Sequence, residues 1–287
     1  MILKTAISSL LLLFAAIAAA SGQNTAGSTE PVNVKGSMGL LSAIVKKPAM
    51  KNNGKCPVVI FMHGFGGNKH DRLQNSIADS LLNHGIGSIF FDFIAHGDSE
   101  GEFKNMTVPN EIDDAMRIYR YAKMLPWTGK VALSGHSQGG VVASMVAGKL
   151  NKKISAVLLL APAAVLRDDV IRGNTFGTTY NPMEPPVFVT LPGNRQLGRN
   201  FITTAFGLPI YETAAGYKGK ACIIHGTGDR IAPYTYGERY HHIWEGSEMH
   251  ILEADDHGLS RNFKLVVETA TDFFIGTLKG DVSKCGE

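Results

Sequence analysis

Short apolar runs alternate with amphipathic segments along most of this chain. The runs have the length and the β-branched content of buried strands, and they fall at 58–62, 86–92, 131–133, 154–160, 223–224 and 249–253. The intervening segments 71–84, 111–124 and 263–278 carry apolar residues at helical spacing. Strands that alternate with helices form a mostly parallel sheet with helices on both faces. The pattern therefore predicts an α/β fold.

A serine lies at one of these strand-to-helix junctions. The strand at 131–133 leads into Gly135-His136-Ser137-Gln138-Gly139-Gly140, and an apolar helix follows. Gly-x-Ser-x-Gly in this position is the nucleophile elbow of α/β-hydrolases, whose sharp turn leaves no room for side chains two residues either side of the serine. A serine that only caps the helix would need neither these glycines nor a later acid and histidine. We predict that Ser137 is a nucleophile.

An acid and a histidine follow in the chain order that α/β-hydrolases use. Asp229 comes directly after the predicted strand at 223–224, and His257 comes after the strand at 249–253. Asp255 and Asp256 are rival acids, but they lie too close to His257 in the chain to reach its ring from a neighbouring strand. We therefore predict a Ser137–His257–Asp229 triad.

Two further histidines are expected to have other roles. His136 adjoins the nucleophile, but successive side chains diverge at such a turn, so we expect its ring to point away from Ser137. His225 lies at a strand end and is expected to be structural.

The predicted chemistry also needs backbone N–H groups that stabilise an oxyanion. One is expected from Gln138, the residue after the nucleophile, and the other from the glycine-rich loop after the strand at 58–62, where Phe65 is favoured. A phosphate-binding loop is the alternative for Gly64-Phe65-Gly66-Gly67. That segment, however, lacks the Gly-Lys-Ser/Thr of a P-loop and the spacing of a dinucleotide fingerprint.

Composition is compatible with one catalytic domain. The 287 residues are 44% hydrophobic and 18% charged, which suffices for one large core, predicted over residues 32–280. The net charge is only +3 and no basic run is present, so a nucleic-acid partner is not expected. An oligomer is compatible with the sequence.

The amino terminus has the features of an export signal. Residues 1–20 carry Lys4, an apolar stretch and a final run of alanines, which predicts a signal peptide and a periplasmic or secreted protein. An uncleaved membrane anchor is the alternative, but the apolar part is short. No stable membrane association is expected after cleavage. Residues 21–31 are predicted to be a mobile lead-in.

Cysteine and histidine spacing predicts no metal site and no cofactor. Cys56, Cys222 and Cys285 allow one disulfide at most, and the sequence does not decide whether one forms.

The segment 163–209 interrupts the alternation of strands and helices. It is rich in proline, glycine and aromatic residues and has no long periodic run. Long irregular stretches between elements are usually functional or disordered, and the aromatic content argues against disorder. In this architecture an insertion at that point lies over the nucleophile. We predict a lid that forms a substrate pocket.

With these motifs in place, the sequence resembles the bacterial cinnamoyl (feruloyl) esterases of the α/β-hydrolase fold. The resemblance spans roughly residues 39–277 and includes motifs in the predicted lid, which are more specific than the triad. The matching motifs are His63-Gly64-Phe65, Phe91-Asp92-Phe93, His96-Gly97-Asp98-Ser99, Gly135-His136-Ser137-Gln138-Gly139-Gly140, Leu159-Leu160-Ala161-Pro162-Ala163-Ala164, Gly173-Asn174-Thr175, Thr179-Tyr180-Asn181-Pro182, Leu208-Pro209-Ile210-Tyr211-Glu212 and Ala254-Asp255-Asp256-His257.

The resemblance implies hydrolysis of esters that join hydroxycinnamic acids, such as ferulate and p-coumarate, to plant cell-wall sugars. It also implies that Asp169, Phe176, Tyr180 and Phe201 bind the substrate. Asp169 aligns with an aspartate that faces the phenolic hydroxyl in relatives. Phe176 and Phe201 stand where relatives carry glutamine and tyrosine, so fewer hydrogen bonds and more apolar contact are expected here.

Three alternatives remain open at this point. A general carboxylesterase or acetyl esterase would share every predicted catalytic residue and differ only in its pocket. A serine peptidase of this fold would share the triad but would be expected to carry a propeller or another large domain. A binding protein without activity would be expected to lack one of Ser137, Asp229 and His257, and all three are present.

Overall fold

An eight-stranded sheet forms the centre of the molecule, as seen in a computed structural model that describes residues 24–25, 27–51 and 54–279. Its strands are β1 (Ser28–Lys35), β2 (Leu40–Lys47), β3 (Cys56–Met62), β4 (Gly87–Phe91), β5 (Thr128–His136), β6 (Ala156–Leu160), β7 (Lys220–Gly226) and β8 (Glu248–Leu252). The spatial order is β1-β2-β4-β3-β5-β6-β7-β8. β2 runs antiparallel to both β1 and β4, and the other five neighbouring pairs are parallel, so the sheet is mostly parallel, as predicted.

Eight helices accompany the sheet within the described part of the chain. They are α1 (Arg72–Asn83), α2 (Val108–Met124), α3 (Gln138–Leu150), α4 (Val165–Arg172), α5 (Arg199–Phe206), α6 (Ile210–Ala214), α7 (Thr235–Ile243) and α8 (Phe263–Lys279). α1 and α8 pack together on one face of the sheet, whereas α2 and α3 pack on the other.

The central strands are apolar on both faces, which explains why they read as continuous hydrophobic runs. Along β3, Val58, Ile60 and Met62 join the core cluster that contains α2 and α3. The alternate residues Val59 and Phe61 join the cluster that contains α1 and α8. This two-sided burial fixes β3 at the middle of the sheet.

The segment 163–209, between β6 and β7, contains short regular elements. Besides α4 and α5 it has two antiparallel ribbons, Asn174–Thr175 with Thr178–Thr179 and Phe188–Leu191 with Arg195–Gly198. Several of its side chains are buried in the larger core cluster, among them Leu197, Phe201 and Ile202. The segment is therefore an ordered part of the domain.

The predicted signal peptide, residues 1–20, and Cys285 lie outside the described residues. Of the predicted mobile lead-in, Ser28 to Pro31 form the first half of β1 and pair with β2, and the edge position of β1 accommodates Pro31. Among the helices of residues 24–279 that are described, none has the length and apolar character that crossing a bilayer requires.

Candidate active site

Ser137 occupies a sharp turn between β5 and α3. Its backbone has φ 58° and ψ −123°, a conformation that L-residues with a side chain rarely adopt. A Cβ atom on Gly135 would lie 2.1 Å from the carbonyl oxygen of Gly139, and one on Gly139 would lie 2.3 Å from that of Met62. Both glycines are thus required by contact with backbone, as the elbow motif predicts.

Ser137, His257 and Asp229 form a continuous hydrogen-bonded chain. The Ser137 Oγ lies 2.8 Å from His257 Nε2, and His257 Nδ1 lies 2.7 Å from Asp229 Oδ2. The three residues follow β5, β8 and β7, whose carboxyl ends meet at one edge of the parallel sheet. With its Nδ1 proton donated to Asp229, His257 can accept the serine proton at Nε2. This is the geometry of a Ser-His-Asp triad.

The carboxylate of Asp229 is buried and fully occupied by donors. Oδ1 accepts the backbone N–H groups of Ile231 and Ala232 at 2.8 and 2.9 Å. Burial opposes its ionisation, but the hydrogen bonds from His225 and His257 outweigh this effect and hold the pKa of Asp229 below its usual value. The acid therefore remains an anion that can orient and stabilise a protonated His257.

His225 is more closely involved than its expected structural role suggested. Its Nε2 lies 2.8 Å from the carbonyl oxygen of Ala232 and 3.1 Å from Asp229 Oδ2. A carbonyl only accepts, so Nε2 carries the proton and donates to both oxygens. His225 thus fixes the loop that presents Asp229. A histidine four residues before the acid, at the end of a buried strand, was the only signal in the sequence.

The ring of His136 has no hydrogen bond to Ser137 within the described structure, and it supports the loop that carries His257. Its Nε2 lies 2.8 Å from the carbonyl oxygen of His257. Burial is the main reason that the pKa of His136 is lowered, and the nearby His257 adds to the effect. The contact joins two loops 121 residues apart in the chain, so no local pattern could have predicted it.

The two rival acids have structural partners instead of the triad histidine. The buried Asp255 carboxylate accepts the backbone N–H groups of Arg261 and Asn262, and so anchors the start of α8. Asp256 accepts from the backbone and the hydroxyl of Ser260. Neither carboxylate has a hydrogen bond to the ring of His257 within the described structure.

The loop after β3 lies directly against the nucleophile. A Cβ on Gly64 would be 2.9 Å from the Ser137 Cβ, so only glycine permits this approach. Phe65 and Gln138 line the same cavity as Ser137. The N–H of Gln138 belongs to the first turn of α3 and has no partner within a helix. The two predicted oxyanion-hole residues are therefore brought together beside Ser137.

Two buried side chains support the oxyanion-hole residues: His63 contacts the loop that carries Phe65, and Glu111 contacts Gln138. His63 Nδ1 lies 2.8 Å from the carbonyl oxygen of Gly64, and its Nε2 accepts the N–H of Phe93. Burial lowers the pKa of His63 to about 3, so the ring is neutral. Glu111 Oε2 accepts from Gln138 Nε2 at 2.8 Å, and burial raises the pKa of this carboxyl well above its usual value. Glu111 was not identified from the sequence, although a glutamate on the apolar face of a predicted helix indicates a buried polar partner.

A cavity of about 670 Å³ opens at Ser137. Its wall is largely apolar. It is formed by the loop after β3 that carries Phe65 (the oxyanion loop), by the elbow, by the loop after β7 and, for the largest part, by the 163–209 segment. The lining residues are Phe65, Ser137, Gln138, Ala163, Val165, Leu166, Asp169, Asn174, Thr175, Phe176, Gly177, Leu191, Pro192, Arg195, Phe201, Arg230 and Ile231.

Aromatic rings surround Phe65 at the inner end of this cavity. The ring centroids of Phe103, Phe176 and Phe201 lie 5.1, 5.0 and 6.1 Å from that of Phe65. Phe201 is buried, whereas Phe176 is 45% exposed and has φ 50°. A planar apolar group that enters the cavity would therefore contact aromatic faces and edges.

Of the four residues predicted to bind substrate, three line the cavity and Tyr180 does not. The half-buried Tyr180 directs its hydroxyl to Thr175 Oγ1 at 2.7 Å, and Thr175 itself forms part of the wall. Tyr180 thus supports the wall from behind. Asp169 is a partly exposed carboxylate, 3.5 Å from Arg172 Nη1, and burial is the main reason that its pKa is raised.

One group of side chains outside the site has donors suited to a metal ion. Ligand atoms of Cys222, Glu248 and His250, on the neighbouring strands β7 and β8, lie within 4.8 Å of one another. The sequence pattern did not reveal it because the residues meet only through strand pairing. Burial raises the pKa of the Cys222 thiol, which opposes the thiolate that a metal would require. Cys56 and Cys222 are both free thiols.

The sequence matches one family and several individual proteins over part of its length. A model of the X-Pro dipeptidyl-peptidases (S15 family) matches residues 39–181. Protein ABHD12B of Homo sapiens is 25% identical over 191 residues, 65% of this chain and 49% of the relative. A putative esterase/lipase 2 of Mycoplasma genitalium is 34% identical over 117 residues, 40% of each chain. The matches thus span less than half the length of these two relatives.

Solved structures are similar over nearly the whole domain. Est1E from Butyrivibrio proteoclasticus, in a structure with ferulic acid bound, superposes with a TM-score of 0.82 at 24% identity, covering 86% of this chain and 99% of Est1E. The esterase Pf2001 of Pyrococcus furiosus superposes with a TM-score of 0.66 at 19% identity, covering 88% and 93%. The chain has the α/β-hydrolase fold, with the side chains of a serine hydrolase in place at its elbow.

Proposed function

We propose that this protein is a serine esterase that hydrolyses hydroxycinnamate esters, such as feruloyl and p-coumaroyl esters of plant cell-wall polysaccharides, through an acyl-enzyme. The observation that carries the proposal is the aromatic cavity at Ser137, which has a carboxylate, Asp169, in its wall. A flat phenolic acid needs this combination of apolar faces and a polar group for its hydroxyl.

The proposed mechanism uses the groups described above. Ser137 Oγ attacks the ester carbonyl as its proton passes to His257 Nε2, and Asp229 stabilises the resulting imidazolium. The N–H groups of Phe65 and Gln138 stabilise the tetrahedral oxyanion. His257 then protonates the departing alkoxide, and water, deprotonated in turn by His257, hydrolyses the acyl-enzyme and restores Ser137.

In this proposal the 163–209 segment acts as a lid that forms the acyl pocket. The hydroxycinnamoyl ring packs against Phe65, Phe176 and Phe201, and its phenolic hydroxyl donates to Asp169. Burial of roughly 100 Å² of ring surface contributes about 2.5 kcal/mol at about 25 cal/mol per Å². Acetate has almost no such surface, so selectivity between the two acids is expected to reside in the segment.

A comparison of methyl esters tests this proposal, because the alcohol is held constant. We expect kcat/KM for methyl ferulate to exceed that for methyl acetate by about fiftyfold or more after correction for their hydroxide-catalysed rates. Methyl cinnamate should fall between them because it lacks the phenolic hydroxyl. Equal corrected values for acetate and ferulate would indicate a general carboxylesterase.

A peptidase is the second candidate, because the S15 family model matches residues 39–181. The readout is cleavage of an X-Pro-p-nitroanilide in parallel with methyl ferulate. We expect ester hydrolysis to dominate, since the described cavity offers aromatic walls for a flat acid. Faster cleavage of the X-Pro substrate would support the peptidase instead.

The proposed substrate also suits an exported enzyme, because cell-wall polysaccharide does not enter the cytoplasm. Lys4 and the apolar stretch that follows favour cleavage of residues 1–20 during export. Amino-terminal sequencing of the protein from periplasm and culture medium tests this, and a start at Met1 in the cytoplasmic fraction alone would contradict it.

A further inference from the structure

The hydrogen bond between Ser137 and His257 separates two depressions in the surface. The first is the aromatic cavity, which contains Ser137 but not His257 in its wall. The second, of about 580 Å³, contains His257 but not Ser137. Arg230 and Ile231 belong to both walls, so the two depressions adjoin at the triad.

The direction of the reaction assigns one half of an ester to each depression. The acyl carbon must bond to Ser137 Oγ with its oxygen near Phe65 and Gln138, which all line the first cavity. The alcohol oxygen must receive its proton from His257 Nε2. The alcohol part therefore departs along the second depression.

The second depression carries two arginines and one carboxylate. Its wall consists of Gly228, Arg230, Ile231, Ala254, Asp256, His257 and Arg261. Both arginines are exposed, and within the described residues neither guanidinium has a hydrogen bond or an ion pair. Asp256, the carboxylate in this wall, accepts from the backbone and hydroxyl of Ser260, and these bonds together with the nearby charge of Arg261 lower its pKa. The wall therefore carries two positive charges against one negative charge.

Most other arginines of the described structure have an ion pair, a hydrogen bond or an aromatic contact, and Arg230 and Arg261 differ from them in this respect. Arg117 pairs with Asp113 and Arg167 with Glu212, whereas Arg199 donates to the carbonyl of Pro185. A guanidinium presents a planar fork that matches a carboxylate. Two such groups in the same wall as His257 form a site for an anion.

We propose that Arg230 and Arg261 form a leaving-group subsite that favours esters whose alcohol part carries a carboxylate, such as an acidic sugar. The inference rests on the proposed esterase function and adds to it the charge of the alcohol. Arg261 lines the second depression alone, whereas Arg230 lines both, so esters of two different acids are needed to test the acyl pocket and the leaving-group subsite separately.

The test uses isosteric pairs of esters that differ only in charge. The carboxymethyl and carbamoylmethyl esters of ferulic acid share size and acyl group, and the same pair is prepared with acetic acid. After correction for hydroxide-catalysed rates, we expect the wild-type kcat/KM ratio of carboxylate to amide to be about fivefold or more with both acids. Raising NaCl to about 1 M should bring the ratio towards one.

Charge-removing variants locate the effect. Arg230→Gln and Arg261→Gln should each lower the carboxylate-to-amide ratio, and the double variant should abolish the preference. Arg120→Gln is the matched control, because Arg120 is exposed and lies in α2, outside both depressions. A wild-type ratio near one, or a ratio that the double variant retains, would overturn the proposal.

The acetate pair distinguishes this proposal from the one on which it rests. If ferulate esters are no better than acetate esters while the carboxylate preference persists in both, the acyl assignment fails and the leaving-group subsite stands. If ferulate is preferred and the charge of the alcohol has no effect, the acyl assignment stands and the leaving-group subsite fails.

Discussion

The two sides of Ser137 are built in different ways. Beneath it, β5 and β6 are buried on both faces and the triad residues are fixed by backbone contacts and by one another. Above it, the 163–209 segment consists of short helices and ribbons, and it exposes large apolar side chains such as Phe176 at 45%, Met183 at 76% and Val187 at 72%. The triad therefore depends little on the segment, whereas the shape of the pocket and the packing around Phe65 depend on it.

This difference teaches that reaction and selectivity can change separately. Substitutions beneath Ser137 should remove turnover for every ester alike. Substitutions in the segment should alter which acid is accepted, because the triad and the oxyanion loop lie outside it.

Ser137→Ala should reduce kcat by about 10⁴-fold or more for every ester, because no other nucleophile lies at the elbow. The variant should remain folded, with circular dichroism like that of the wild type. Residual activity above about a tenth of the wild-type rate would show that Ser137 is not the nucleophile.

Asp229→Asn should reduce kcat by about 10⁴-fold, because an amide cannot hold His257 in the required tautomer or balance its charge. The matched variant is Asp255→Asn, which should mainly lower stability because Asp255 anchors the start of α8. If Asp255→Asn were the more damaging change for kcat in folded protein, the assignment of the acid would be wrong.

Asp169→Asn should weaken the hydrolysis of p-hydroxylated cinnamates relative to unsubstituted cinnamate by about 1–3 kcal/mol in transition-state binding, because the amide is a weaker acceptor for the phenol. The kcat/KM values for methyl p-coumarate and methyl cinnamate provide the measurement. An equal loss on both esters would assign Asp169 to the structure of the segment.

Phe176→Ala should reduce kcat/KM for methyl ferulate by roughly tenfold and that for methyl acetate much less, because the contact with the acyl group is lost only for the large acid, whereas the contact with Phe65 is lost for both. The control is Phe206→Ala in α5, whose ring is 36% exposed and lies outside the cavity wall. Equal effects of the two variants on both esters would place the acyl group elsewhere.

Glu111→Gln should change the pH dependence of stability. Because burial raises the folded-state pKa of Glu111, the folded protein binds more protons, and the wild type should lose stability as pH rises above about 4.5 towards that folded-state pKa. The glutamine variant keeps an acceptor for Gln138 and should lose this component. Urea unfolding of both proteins at pH 5 and pH 8 measures the difference, and a constant difference would contradict the assignment.

The sequence predicted the elements whose causes are local. The glycines around Ser137 indicated the elbow, and the strand ends before Asp229 and His257 indicated that these residues would meet, since parallel strands share one edge. His136 and Glu111 could not be assigned because their partners lie 121 and 27 residues away. Tyr180 was placed by resemblance alone, and its hydroxyl contacts that of Thr175, in the ribbon strand Asn174–Thr175, instead of lining the cavity.

The positive φ of Ser137 has a consequence for the evolution of this domain. A residue with a side chain at φ 58° and ψ −123° costs of order 1–3 kcal/mol, whereas glycine adopts such a conformation without that cost. Ser137→Gly should therefore raise the free energy of unfolding even as it removes the hydroxyl. The more stable form of this elbow is therefore inactive. Without selection for turnover, a mutation of Ser137 to glycine would be retained because it stabilises the protein.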